Sequence, residues 1–337
     1  METNKNMLIT GGCGFIGSHA VKYFDDKGYN VVILDKLTYA AQPELLNDVK
    51  HYELVVGDIC DADLVYDILE QHKIDIIINF AAESHVDNSI SGPMVFQQTN
   101  YIGTAVLLEE ARKYWTKYNK IKQSKFIQIS TDEVFGSLPL DIPTEKFDEE
   151  SKYSPRSPYS ASKAAAEMLV MAYHTTYGMN TIITNCSNNY GPHQHTEKLI
   201  PKVIQACKHK SAIPIYGTGE NVRDWLYVED HIDAIDFILG CDWYVSKEEF
   251  NMRFCIGGNN ELSNNDIVNI ICNEYDKIVG NKPGTSNKLI IYVEDRLGHD
   301  KRYAIAPKKL ELAGWRPSTK FNEGIEKTIQ WYLNKSL

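Results

Sequence analysis

Residues 7–24 read MLITGGCGFIGSHAVKYF: a short apolar run, a cluster of glycines, and then an amphipathic segment. Gly11, Gly12, Gly14 and Gly17 satisfy both G-x-G-x-x-G and G-x-x-G-x-x-G. Glycines at this spacing allow a tight turn and a close backbone approach to a pyrophosphate, and the helix that follows aims its N–H groups and positive dipole end at the phosphates. A second run, NVVILD (30–35), ends in Asp35, 24 positions beyond Gly11. An acidic residue there accepts from the adenosine ribose hydroxyls and repels a 2′-phosphate, which favours NAD over NADP; the adjacent cation, Lys36, works in the other direction.

Further apolar runs at 52–58 (YELVVGD), 75–80 (DIIINF), 125–130 (KFIQIS) and 180–186 (NTIITNC) read as strands buried on both faces. Helical patterns lie between them at about 15–28, 61–72, 93–118 and 158–178. This alternation predicts an α/β fold, a Rossmann-type doubly wound parallel sheet. After SNNYGP (187–192) the elements shorten and Gly and Pro become frequent. The expected organisation is a dinucleotide-binding domain over 1–190 and a smaller mixed α+β lobe over 191–337, with one or two segments of the lobe returning to the sheet. Asp58 and Ile59 end the third strand, suited to an adenine edge and face, and Ala81 and Ala82 follow the fourth, small enough for a cofactor to pass.

The 337 residues carry a formal charge of −10, which argues against nucleic acid or an anionic membrane surface as partner. The seven cysteines include no C-x-x-C pair, so neither a zinc site nor a disulfide framework is expected. No apolar stretch reaches the length of a membrane span, and a soluble, cytoplasmic protein is expected.

Two further stretches carry chemistry. SPYSASKAAAEMLV (157–170) places Tyr159 and Lys163 one helical turn apart, where the ammonium is expected to lower the phenol's pKa and make it a base. STDEVFG (130–136) places Thr131, Asp132 and Glu133 just beyond a buried strand expected to end at about Ser130. Such a triplet also reads as a helix N-terminal cap. As chemistry, two adjacent carboxyl groups push their pKa values apart and so supply an acid and a base together.

With GGCGFIG, NFAAESHVD, YSASK and NNYGP, the chain resembles the extended short-chain dehydrogenase/reductase family over essentially its full length. STDEVFG, SNNYGP, EKLIP (197–201), VRDWLYVEDH (222–231) and GHDKRYA (298–304) make it similar, within that family, to the nucleotide-sugar 4,6-dehydratases. The resemblance implies a lyase that converts a nucleotide-diphosphate-glucose, dTDP- or UDP-linked, to the 4-keto-6-deoxy sugar nucleotide for deoxysugar (for example rhamnose) biosynthesis. It implies NAD bound by Gly11, Gly14, Phe15, Ile16, Gly17, Asp35, Lys36, Thr38, Asp58, Ile59, Ala81, Ala82, Ser84, Thr99, Ser130, Tyr159, Lys163 and Asn188. Thr131, Asp132, Glu133, Tyr159 and Lys163 would be catalytic. The substrate would meet Ser84, Asp87, Thr131, Asp132, Glu133, Asn189, Lys198, Leu199, Pro201, Tyr216, Arg223, Asn264, Arg296, His299 and Tyr303. At Asn264 the neighbours Asn259, Asn260 and Asn265 remain alternatives. A homodimer paired through a four-helix bundle is implied as well, and no metal. The competing readings are a UDP-hexose 4-epimerase, which needs no second acid–base pair, and a non-enzymatic NAD-binding scaffold.

Overall fold

The computed structural model describes residues 5–243, 245, 250–295 and 298–334. Six strands alternate with helices in the first part: β1 (Asn6–Thr10), β2 (Asn30–Asp35), β3 (Tyr52–Val56), β4 (Ile76–Asn79), β5 (Lys125–Thr131) and β6 (Thr181–Cys186). The helices are α1 (Phe15–Asp26), α2 (Ala62–Gln71), α3 (Val86–Ser91), α4 (Pro93–Phe96), α5 (Thr104–Lys117) and α6 (Pro158–Tyr177). Then follow β7 (Asn188–Tyr190), α7 (Leu199–His209), β8 (Ile213–Tyr216), β9 (Val222–Tyr227), α8 (Val228–Gly240), β10 (Arg253–Ile256), β11 (Glu261–Ser263), α9 (Asn264–Val279), β12 (Ile290–Val293), α10 (Lys308–Ala313) and α11 (Phe321–Asn334).

The central sheet has seven strands in the order β10-β6-β5-β4-β1-β2-β3, every pairing parallel. Its order reverses beside β1, where two crossovers leave in opposite directions and open a crevice at the strands' carboxyl ends. One face packs on α1 and α8, the other on α2, α5 and α6. Both α8 and β10 come from beyond residue 190: Tyr23 of α1 donates to Asp236 of α8 at 3.0 Å, and β10 pairs with β6 from Arg253↔Ile183 to Ile256↔Cys186. The remaining strands form a three-stranded sheet (β11-β9-β7) and a pair (β12-β8), packed with α7, α9 and α11 around a separate core.

The helical run expected over 93–118 is not uniform. The four-residue α4 gives way to a π-helical stretch at Gln97–Gly103 before α5 begins. Buried Asn100 sits in this wider turn; its amide accepts from the Glu83 backbone N–H and donates to the Glu83 carbonyl and to Ser162 Oγ. The wide turn thus spends one helical side chain on holding the loop after β4. Strand β5 also runs one residue further than expected, to Thr131, because its partner β6 continues to Cys186.

Ile78 is fully buried in β4 at the middle of the sheet. Ile78→Ala should cost about 2–5 kcal/mol and Ile78→Val about 0.5–1.5, measured by equilibrium urea unfolding.

Candidate active site

The carboxyl ends of β1, β2, β4, β5 and β6 open into a cleft of about 470 Å3. At its floor the glycine turn behaves as a cradle. Gly11 is held at φ +68°, and a side chain there would stand 2.7 Å from the Ala81 backbone nitrogen; one at Gly17 would stand 2.2 Å from the Gly11 carbonyl oxygen. Gly14 caps α1 without a side chain, so the N–H groups of the first turn face the cleft unpaired by the helix.

Asp35 Oδ2 accepts from the Cys13 N–H at 2.9 Å and Oδ1 from the Leu37 N–H at 2.8 Å, which fixes the carboxylate at the end of β2 with lone pairs to spare. Lys36, whose charge worked against the NAD reading, is paired with Asp58 at 2.6 Å. Phe15, Ile16, Thr38, Ile59, Ala81, Ala82, Ser84, Thr99, Ser130 and Asn188 all line the same cleft. A cradle closed to side chains, an open helix N-terminus and a fixed carboxylate fit an adenine dinucleotide with an unmodified ribose.

The other half of the cleft holds the chemistry. Thr131 ends β5, and its hydroxyl caps a single 3-10 turn, Asp132–Phe135, by accepting from the Glu133 N–H at 3.3 Å. The cap reading of this triplet is therefore true of the backbone. Asp132 is buried, and its Oδ2 has no hydrogen-bond partner among the described residues. Burial pushes its carboxyl well above the usual range, Glu133 and Asp224 add to the shift, and Arg223 and the Thr131 hydroxyl oppose it. The shift favours the protonated carboxyl, the form that can donate a proton.

Tyr159 and Lys163 stand on the first turns of α6, which begins at a capping box of Ser157 and Ser160 with Pro158 at the first helical position. The expected lowering of the phenol by Lys163 is corrected here. Burial raises the Tyr159 hydroxyl well above its ordinary value, Glu133, Cys186 and Asp132 raise it further, and only the Thr131 hydroxyl pulls it down. The Lys163 ammonium instead donates to the Ile129 carbonyl at 2.6 Å, and burial lowers it to about 8. The carboxylates nearest Tyr159 therefore work against a phenolate, and the Thr131 hydroxyl works for it.

The expected substrate residues fall into two groups. Ser84, Thr131, Asp132, Glu133, Asn189 and Lys198 line the cleft, Lys198 donating to the Ser84 carbonyl at 3.1 Å. Asn189 contributes mainly its backbone, because its amide donates to Cys186 Sγ and the Ser187 carbonyl while His231 Nδ1 lies 2.9 Å from its Oδ1. Asp87, Leu199, Pro201, Tyr216, Arg223, Asn264, His299 and Tyr303 are not in the cleft wall. Arg223 and Tyr303 nevertheless approach the acidic turn. The guanidinium lies 4.3 Å over the Tyr303 ring, and Glu133 and burial both raise the Tyr303 hydroxyl. His299 is paired with Asp295 at 2.7 Å, and Tyr216 lies exposed on β8. At the β11–α9 junction the Asn264 backbone bonds Asn221, whereas the Asn265 side chain bonds the Thr218 carbonyl. Arg296 lies outside the described residues.

Several cleft residues were missed. Cys186 and Gln194 line the wall, and Gln194 Oε1 is buried without a partner among the described residues. Cys186 is the last residue of a strand, a position that exposes it to the cleft; no comparable signal marks Gln194.

A family model described as GDP-mannose 4,6 dehydratase matches residues 8–328. A dTDP-glucose 4,6-dehydratase of Escherichia coli is 46% identical, over 97% of this chain and 93% of its own length. The crystal structure of dTDP-glucose 4,6-dehydratase from Bacillus anthracis in complex with NAD matches at a TM-score of 0.83 and 39% identity, covering 98% of this chain and 96% of that one. A UDP-glucose 4-epimerase from Thermotoga maritima matches at the same TM-score with 27% identity, covering 97% and 98%.

Because the Asp132 pKa in the folded chain lies above the unfolded value of about 3.9, the folded state holds the extra proton; the stability this gives is present at low pH and is lost as pH rises through the folded pKa. Asp132→Asn keeps the shape without the charge. It should unfold at a higher temperature than the parent at pH 7, and the two should converge as pH falls toward 4, read by scanning calorimetry.

Proposed function

The chain belongs to the GDP-mannose 4,6-dehydratase family, and on that premise we propose that it is an NAD-dependent dTDP-glucose 4,6-dehydratase, a hydro-lyase of deoxysugar biosynthesis. One observation carries this reading over the epimerase. A buried Asp132, its carboxyl shifted toward the protonated form, stands beside Glu133 on a turn that shares the cleft with Tyr159, so a second acid–base pair sits in the pocket with the tyrosine. The fold alone does not separate the two activities, since the epimerase of Thermotoga maritima matches it as well as the dehydratase of Bacillus anthracis does.

The glycine turn, Asp35 and the loop at Ala81 and Ala82 hold the cofactor. Bound there, NAD would supply the hydride acceptor for C4 of the glucose and the hydride donor for C6. Tyr159 takes the proton of the C4 hydroxyl, with the Thr131 hydroxyl beside it. A ketone at C4 acidifies the C5 proton, which Glu133 removes. Asp132 protonates the departing C6 hydroxyl and water leaves. A proton then returns to C5. For the diphosphate the resemblance points to Arg223, whose planar guanidinium suits the role although it now donates to the Val222 and Asp300 carbonyls, and to Arg296, which lies outside the described residues. The scaffold reading has no use for a carboxyl shifted toward its protonated form beside a second one.

We also propose a homodimer formed through the long helices. Ile90, Met94, Val95, Ile102, Met168 and Tyr177 are exposed along α3, α4, the π-helical stretch and α6, with Met94 at 74% and Met168 at 53%. Large apolar side chains left exposed on adjoining helices suit burial against a second copy. Among the described residues no helix is long and apolar enough to cross a membrane.

Incubation with dTDP-glucose should give a product lighter by one water in mass spectrometry; an unchanged mass would return the reading to the epimerase. Tyr159→Phe and Glu133→Gln should each lower kcat by about 100-fold or more. UDP-glucose in parallel should show a lower kcat/KM than dTDP-glucose. For the assembly, Met94→Asp with Met168→Asp should shift the sedimentation-equilibrium mass from two chains to one.

A further inference from the structure

Glu167 is completely buried on α6, one turn beyond Lys163 and two beyond Tyr159, so the three share one face of the helix. Its carboxylate is saturated. Oε1 accepts from Ser130 Oγ and from Asn185 Nδ2 (2.7 Å); Oε2 accepts from the Tyr153 hydroxyl (2.8 Å) and from Arg253 Nη2 (3.2 Å). These four donors come from β5, β6, the segment before α6, and β10. Burial raises the carboxyl, and Arg253 with the other donors opposes that.

The same partners hold both ends of the acidic turn. Asn185 Nδ2 also donates to the Thr131 carbonyl at 2.9 Å, where the turn begins. At the other end the Phe135 ring stacks on Tyr153, with centroids 6.3 Å apart at 23°, and the Arg253 guanidinium lies 5.7 Å from its centre. We propose that Glu167 is a positioning residue for dehydration: it locks the Asp132–Glu133 turn in register with the Tyr159 helix while touching neither substrate nor cofactor. This rests on the dehydratase reading above.

The alternative is a purely structural ion pair between Glu167 and Arg253. The two roles differ in which step they affect. Tyr159 and Lys163 ride on α6 itself, so loss of the hub leaves the C4 step in place; the turn that carries the C5 base and the C6 acid is what loses its anchor. Misplacement of a reacting group by about 1 Å can cost on the order of 100-fold in rate.

Glu167→Gln retains an Oε1 acceptor for Ser130 and Asn185. Glu167→Leu with Arg253→Met removes both charges together, so no buried ion is left unpaired and the fold can survive. The double variant should show kcat lowered about 100-fold with KM for dTDP-glucose within about threefold of the parent. Glu167→Gln should fall between the two. With dTDP-glucose deuterated at C5 or at C4, the C5 isotope effect on kcat should rise in the double variant and the C4 effect should fall. Parental kcat in the folded double variant would overturn the proposal, as would a loss of kcat with both isotope effects unchanged. A parent that forms no dehydrated product would overturn the functional reading itself; a dehydrating parent matched by the double variant would overturn only the role of Glu167.

Discussion

In a wholly parallel sheet every strand ends on the same side, and the last carbonyls and side chains of five strands meet there with no further sheet to cover them. That constraint organises this molecule. The glycine turn after β1, Asp35 after β2, the alanines after β4, the acidic turn after β5 and Cys186 closing β6 are one edge described five times. The edge must be polar to be satisfied and partly dry to be chemical. Asp132 shows the compromise: a buried carboxyl with two other carboxylates near, pushed by that environment toward its protonated form.

The dehydratase and epimerase matches show how little of this the backbone determines. Chains of the two activities superpose on this one equally well, while their names describe different chemistry. What distinguishes them must lie in side chains on a shared frame, and the short turn at 131–135 is where this chain places a buried carboxyl in one cleft with a tyrosine. The surrounding polar groups are tied to it: Asn185, Glu167, Tyr153 and Arg253 bond one another, and Asn185 bonds the start of that turn, while Asn185 Oδ1 and Arg253 Nε have no partner among the described residues. A site that must do two proton transfers at neighbouring carbons needs such rigidity more than one that does a single transfer.

The parallel sheet was legible because its strands are buried on both faces and therefore read as unbroken apolar runs; β1, β2 and β6 lie within a residue of where those runs place them. The glycine cradle was legible because backbone contacts at 2.2–2.7 Å from a built side chain admit only glycine. What stayed hidden depends on burial or on distant partners. The fate of Tyr159 follows from desolvation and from carboxylates some 26 positions upstream, which no local pairing with Lys163 discloses. The π-helical stretch follows from what Asn100 holds, and Glu167 looks in sequence like any polar residue of an alanine-rich helix. Strand β10 has only four residues, RFCI, and such a run reads equally well as part of either lobe.

That last strand bears on how relatives of this chain can exchange parts. Because β10 and α8 leave the smaller lobe and join the larger one, no single cut near residue 190 separates two self-contained modules. A chimera joined there would carry a foreign edge strand onto β6 and a foreign helix onto α1. The smaller lobe is therefore not inherited as a free cassette. Its recombination is filtered through the register of Arg253 against Ile183, and with it through Glu167, the partner that Arg253 meets on α6.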